Sequence, residues 1–116
     1  MNNQRKLIRL ETSDFLQIKP LNEVGKIYEA DAKDFTFMGI CFSSSAEWKK
    51  GQVLEIEYFI PGSSMPVKIK MVVVWSEFIS SQQGYFCGGQ ITEIEPENQA
   101  QFAHYYYKKL KDRFSE

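Results

Sequence analysis

Arg5 and Arg9 are the residues of this 116-residue chain whose type and spacing most directly suggest chemistry. They stand four apart in Arg5-Lys6-Leu7-Ile8-Arg9, with Lys6 as a third cation between them. A guanidinium is a planar fork of donors that matches a phosphate or the Hoogsteen edge of guanine, and its flat face stacks on a base. Two such groups on one short segment suit an anion gripped from two sides, although basic residues near a terminus are often plain solvated charges. A second group is Asp34-Phe35-Thr36-Phe37-Met38-Gly39. Asp34 can accept from the Watson–Crick edge of guanine, and the Thr36 hydroxyl can donate to a carbonyl or phosphate oxygen. Gly39 lets backbone approach a ligand closely or turn with positive φ. The same residues also suit a simple turn, with Asp and Thr bonding their own backbone.

Catalytic constellations are harder to assemble. An enzyme needs a nucleophile or acid–base group held beside a partner. His104 is the sole histidine and falls in a helical segment, where packing or solvent is its expected environment. Glu55 and Glu57 are two apart on one strand and both point to solvent, whereas hydrolytic carboxylates must oppose each other across a cleft. No glycine-rich phosphate loop and no Ser-His-Asp set is present. Cys41 and Cys87 are too few for a zinc site with one histidine, and two buried free thiols are expected rather than a disulfide. The sequence therefore reads as a binding domain, not an enzyme, and calls for no metal or cofactor.

The elements that must hold these residues follow from periodicity. With 43% hydrophobic and 25% charged residues, the composition is that of one globular domain, and the 15% of aromatics supplies a core from few side chains. Residues 1–12 read as a polar, flexible arm, and 13–116 as the domain proper. Residues 14–19 read as a short strand, and Asn22 to Gly25 as a turn. Residues 25–42 read as two extended pieces joined around Asp34, followed by a polar loop from Ser43 to Gly51 that contains Trp48. Leu54, Ile56, Tyr58 and Ile60 alternate with Glu55 and Glu57, the period of a half-buried strand. After the turn at Pro61–Ser64, the alternation continues through Val67, Ile69, Met71, Val73 and Trp75. Val72 and Val74 make the later half of that strand apolar on both faces, which predicts cover on both sides. A turn at Ser80–Gly84 leads to Tyr85, Cys87, Gly89 and Ile91, with Gly88 and Gly89 suited to a bulge or sharp bend. The tail changes period: Pro96 suits a helix start, and Phe102, Tyr106, Leu110 and Phe114 recur every four residues, with Ala103 and Tyr107 beside them. Short strands at this spacing predict a closed antiparallel sheet capped by one C-terminal helix.

The two groups together, Arg5-Lys6-Leu7-Ile8-Arg9 and Asp34-Phe35-Thr36-Phe37-Met38-Gly39, resemble the RxxxR and [D/N]xSxxG motifs of PilZ domains. The resemblance extends through Val72-Val73-Val74-Trp75 and residues 84–91, and covers nearly the whole chain. It implies an all-β fold with one helix: a six-stranded antiparallel barrel and a C-terminal α-helix. It also implies a bacterial receptor for cyclic di-GMP. On that resemblance Arg5 and Arg9, with Lys6 beside them, would grip the phosphates and guanine faces. Asp34 and Thr36 would contact a guanine, and Gly39 would leave room for it. Thr36 stands where the family usually has Ser; its hydroxyl survives, but the added methyl crowds a base and implies weaker binding. Gln4, where some members have a further arginine, points to one ligand per domain.

The expected function is thus a cyclic di-GMP receptor that orders its arm on binding and signals to an effector protein. The alternative is a PilZ-fold protein-interaction module that has lost the ligand. Single-stranded nucleic-acid binding through Lys68 and Lys70 is opposed by the net charge of −1 and by Glu55 and Glu57. No apolar segment follows Met1 and no run of about 20 apolar residues occurs, so a cytoplasmic protein without membrane insertion is expected.

Overall fold

The computed structural model describes residues 8–115; Gln4, Arg5 and Lys6 lie outside the described residues. Seven strands and one helix follow in order: β1 (Leu10–Glu11), β2 (Phe15–Pro20), β3 (Tyr28–Phe35), β4 (Gly39–Ser44), β5 (Val53–Phe59), β6 (Val67–Ser80), β7 (Gly84–Ile94) and α1 (Pro96–Arg113). Hydrogen bonding runs β3-β2-β5-β6-β7-β4, and β4 pairs back onto β3, closing a six-stranded antiparallel barrel. The two-residue β1 adds to β3 beyond the end of β2, pairing Leu10 with Phe35 and Glu11 with Asp34. Closure removes most of the exposed edges that an open sheet would present.

The barrel interior is filled by the inward half of each alternation. Leu54, Ile56, Tyr58, Val67, Ile69, Met71 and Val73 are all buried, as the period of two predicts. Leu10, within the predicted arm, is 2% exposed and belongs to the same core. Trp48, expected in a polar loop, is also buried: Ser43 and Ser44 belong to β4, and the Trp48 indole N–H reaches the Ser44 hydroxyl at 3.3 Å. Burying its ring against Tyr28 makes the loop after β4 part of the wall.

Helix α1 begins at Pro96 and closes one end of the barrel. Glu97 in its first turn, with Lys111 and Arg113 in its last, suit the helix dipole. Phe102 and Tyr106 pack on Phe35 and Tyr58. The predicted stripe is rotated in part: Phe114 and Tyr107 are exposed, while Tyr105 turns inward and stacks on Phe35. The cause is a polar contact. Asp14, 9% exposed at the entry to β2, accepts hydrogen bonds from the Tyr58 hydroxyl at 2.7 Å and from the Tyr105 hydroxyl. Burial and the Asp14 carboxylate push both phenols up from the ordinary tyrosine value. One carboxylate thus joins β2, β5 and α1.

Two outcomes follow. Asp14→Ala leaves two largely buried hydroxyls without an acceptor and should lower stability by about 3 kcal/mol in urea titration; an unchanged midpoint would show that the contact is idle. Because the folded phenols hold their protons more tightly than unfolded ones, their stabilisation is complete below pH 10, the unperturbed value, and declines as the pH rises above it. The melting temperature should therefore fall between about pH 9.5 and 11, a range that brackets the normal tyrosine pKa, by a margin that shrinks in Tyr105→Phe.

Candidate functional site

The sequence reading joins two extended pieces around Asp34, but Asp34 lies inside β3 and the connection is Thr36–Met38. Strand β3 alternates inward at Ala30 and Ala32, so a regular strand would also send residue 34 into the core. A β-bulge intervenes: Ala32 faces Phe42 and Asp34 faces Cys41, with Lys33 as the extra residue. The parity of the strand flips there. Phe35 turns into the core and Asp34 turns outward.

The same device acts on β6, with β4 and β7 lying between. Val73 pairs with Gly89 and Trp75 with Gly88, which leaves Val74 as the extra residue on β6. Strict alternation predicts Trp75 inside and the later half of β6 covered on both faces. Instead Trp75 is turned outward, and Val74 and Trp75 are 41% and 42% exposed. The expected cover is absent because β5 ends its pairing at Val72, and the end of β6 continues as an edge strand with β7 on one side and no strand of the described residues on the other. The bulge lies opposite Gly88 and Gly89 rather than within their own strand.

Register now places one row across the outer face: Asp34 on β3, Cys41 on β4, Gly88 on β7 and Trp75 on β6. A Cβ on Gly88 would come within 2.1 Å of the Trp75 indole nitrogen, so the absent side chain is what lets the ring lie against the sheet. Arg9 completes the row from the other side. Its Nε donates to Asp34 Oδ1 at 2.6 Å, with the two side chains 52% and 29% exposed. Together with Val74 and Gly89 these residues line a recess of about 210 Å³. Burial, and secondarily the Asp34 charge, push the Cys41 thiol up to about 11, so it lines the recess as a neutral group. Cys41 and Cys87 are both free and buried. Cys87 faces the interior from the neighbouring position to Gly88, on the opposite side of the sheet from Cys41.

The backbone that carries Arg9 is held from α1. The Tyr106 hydroxyl donates to the Ile8 carbonyl at 2.6 Å, and Arg113 Nη1 donates to the Arg9 carbonyl at 3.2 Å. Thr36 and Gly39 occupy different roles from Asp34. Thr36 is 3% exposed; its N–H donates to the Gly39 carbonyl at 2.9 Å, and its hydroxyl oxygen accepts from the Met38 N–H at 2.9 Å. Gly39 is not among the left-handed glycines. A Cβ there would lie 2.8 Å from the Gly89 carbonyl oxygen, so the space it leaves is taken by strand β7.

Of the residues singled out from sequence, the structure brings Arg9 and Asp34 into contact, with Thr36 and Gly39 in the adjoining turn; Arg5 and Lys6 lie outside the described residues. Nothing in the sequence marks Trp75, Cys41 or Gly88 as a site residue. Tryptophan beside a valine run reads as core, and only the bulge shows otherwise. Elsewhere on the barrel a groove of about 280 Å³ is lined by Lys19, Lys68 and Lys70 with Glu55, Glu57, Glu93 and Glu95. Its lysines face glutamates, as in Lys19–Glu57 at 3.2 Å, and it offers an anion no excess of positive charge. Among the described residues no group of His, Cys, Asp and Glu is placed to hold a metal ion, and no helix is long and apolar enough to cross a membrane.

Gly88→Ala should displace the Trp75 ring, read as a red shift of its emission or faster quenching by iodide. Unchanged fluorescence would mean that the ring does not need the glycine.

The sequence model of the PilZ domain matches residues 3–108. No curated protein matches the chain by sequence. Among solved structures, the Bacillus subtilis inhibitor of motility MotI/DgrA superposes with a TM-score of 0.78 at 14% identity, covering 97% of this chain and 54% of that one. MrkH from K. pneumonia gives 0.73 at 15%, covering 97% and 51%. The PilZ domain of YcgR from Escherichia coli, solved with c-di-GMP, gives 0.68 at 11%, covering 96% and 95%. The chain thus spans about half the length of MotI/DgrA and MrkH and nearly all of the YcgR domain. A family match over almost the full length, on a six-stranded barrel with a C-terminal helix, makes this chain a member of the PilZ domain family.

Proposed function

We propose that the recess between Arg9 and Trp75 binds cyclic di-GMP, and that the chain acts as a receptor for it. The observation that carries this reading is the outward row itself: a guanidinium, a carboxylate and an indole on one face, around a glycine floor. Each matches one part of a guanine dinucleotide. Arg9 spends Nε on Asp34 and keeps its terminal nitrogens for a phosphate or a Hoogsteen edge. Asp34 Oδ2 can accept from the Watson–Crick donors of guanine. The Trp75 ring offers a stacking surface, a contact worth about 1–3 kcal/mol per base in single-stranded nucleic-acid complexes. Two solved proteins similar in fold, the PilZ domain of YcgR and MrkH, were determined with this ligand, which supports the assignment.

In this reading Thr36 acts from behind, by shaping the turn next to Asp34, and is open to a base contact only if that turn yields its Met38 bond. Arg5, with Lys6, supplies the second cation of the clamp. Ligand capture orders the arm over the recess, and the new surface signals to an effector protein. Enzymatic chemistry forms no part of the reading. The compartment it implies is the bacterial cytoplasm, the same one that suits two free thiols.

Isothermal titration with cyclic di-GMP, against GTP as control, tests the assignment. A micromolar dissociation constant, about −8 kcal/mol, is the expected scale. Arg5→Ala and Arg9→Ala should each abolish measurable binding and shift the melting curve little, since exposed ion pairs such as Arg9–Asp34 contribute only about 0–1 kcal/mol. Trp75→Ala should weaken binding about tenfold or more by removing a stacking surface. Wild-type affinity in both arginine variants overturns the clamp, and no heat with the wild-type chain favours the interaction module instead.

A further inference from the structure

Strand β6 changes surroundings halfway along. Its first half lies between β5 and β7. The last β5 pair is Val53 with Val72, and the loop backbone extends that edge by one residue. Gly51 N–H donates to the Val73 carbonyl at 2.7 Å, and Val73 N–H donates to the Gln52 carbonyl at 2.9 Å. From Val74 to Ser80 the strand pairs with β7 on one side, and among the described residues no strand pairs with the other. Among the described residues this is the longest stretch of any strand that has a partner on one side alone.

Edge strands in soluble proteins are usually short or guarded by lysine, proline, inward-pointing charge or bulges; here the irregularities lie towards the two ends, at Val74 and Ile79, and leave Trp75–Phe78 regular. Here the edge reads Val74-Trp75-Ser76-Glu77-Phe78-Ile79-Ser80, with no lysine and no proline. Phe78 is 59% exposed and Ile79 is 37% exposed, beside the exposed Val74 and Trp75. Ile79 is itself the extra residue of a further irregularity, where Phe78 faces Tyr85 and Ser80 faces Gly84. The Phe78 ring leans on Tyr85 at 5.4 Å and stiffens the pairing of β6 with β7. Glu77 is the one charge on the edge, and no cation among the described residues pairs with it.

We infer that this edge takes up an extended strand of a different protein, carrying a lysine or arginine opposite Glu77 between apolar residues. Main-chain hydrogen bonds would supply affinity and the side chains specificity, as in other strand additions to an open sheet. The incoming strand starts where Gly51 and Gln52 stop, so it extends an existing ladder. Charge decides against a second copy of this chain. A twofold antiparallel pair must oppose residues that share a face. Full overlap then sets Glu77 against Glu77, and like charges directly opposite are destabilising. Sliding by one step either way sets the carboxylate against Trp75 or Ile79, with no cation gained. A foreign strand with a cation at that place has neither conflict. The inference does not depend on cyclic di-GMP.

The probes are two acetylated peptides of alternating threonine and valine, one with a central lysine and one with a central glutamate. Each is titrated into the intact chain, followed by backbone amide NMR and hydrogen exchange. The lysine peptide should shift and protect amides of 74–80, and bind at least about threefold more tightly than the glutamate peptide. Glu77→Lys, an exposed change that spares the fold, should invert that preference. Phe78→Lys, which restores a guarding lysine, should weaken both. A preference indifferent to Glu77→Lys overturns the inference, as does the absence of any shift at 74–80 with millimolar peptide. Sedimentation as a dimer with 74–80 already protected overturns it in favour of self-association.

Discussion

The candidate site rests on two β-bulges that lie on either side of one row of the barrel. Without the extra residue at Lys33, Asp34 would continue the inward parity of Ala30 and Ala32. Without the one at Val74, Trp75 would follow Val73 and Met71 into the core. Each bulge costs local pairing but avoids a worse alternative, a carboxylate or a full indole forced into a filled interior. The outcome is that both groups emerge on the same face, joined through Cys41 and Gly88. Neither bulge alone would make a site: the first gives a solvated carboxylate, the second an exposed ring.

How much of this is legible in the sequence depends on what kind of signal each element carries. Strand β5 is the clearest case. Leu54, Ile56, Tyr58 and Ile60 alternate without interruption, and the structure buries all four. Pro96 starts the helix, and the turns at Pro61–Ser64 and Ser80–Gly84 are where glycine and proline place them, with Gly62 and Gly84 in the left-handed region. These are local signals, set by φ, by a missing N–H or by the pleat. Trp75 fails for the complementary reason. Period two is an inference about a regular strand, and a one-residue insertion reverses every side chain beyond it. Nothing in Val-Val-Val-Trp marks which residue is the extra one. Tyr105 and Asp14 are similar: the helix face is decided by a carboxylate ninety-one positions away, a distance no window of sequence spans.

The motif residues show the same division at finer scale. Arg9 and Asp34 were legible as chemistry, and they meet. Thr36 and Gly39 were equally conspicuous as types, yet in the structure they are occupied by the protein itself. The hydroxyl of Thr36 holds the turn, and the gap at Gly39 holds a β7 carbonyl. A residue that shapes a turn and one that touches a ligand can require the same atoms. Spacing alone does not separate them, because the turn is the reason for the spacing.

What remains is what would let an exposed arginine serve as the proposed clamp. A free side chain of this length loses roughly 1.5–2 kcal/mol of rotamer freedom when it is fixed, and the backbone loses about as much again per residue. Arg9 has met part of that cost before any ligand arrives. Its carbonyl is held by Arg113 and the preceding carbonyl by Tyr106, while Leu10 is anchored in the core and pairs with Phe35. Its guanidinium is oriented by Asp34 through Nε, and among the described residues its terminal nitrogens make no hydrogen bond. The ion pair itself adds little stability on so exposed a surface. Its contribution is orientation: it fixes a donor fork beside a carboxylate acceptor. The helix, the short β1 and the Lys33 bulge therefore act on one quantity, the freedom left to Arg9, and through it on the affinity that any anion can reach there.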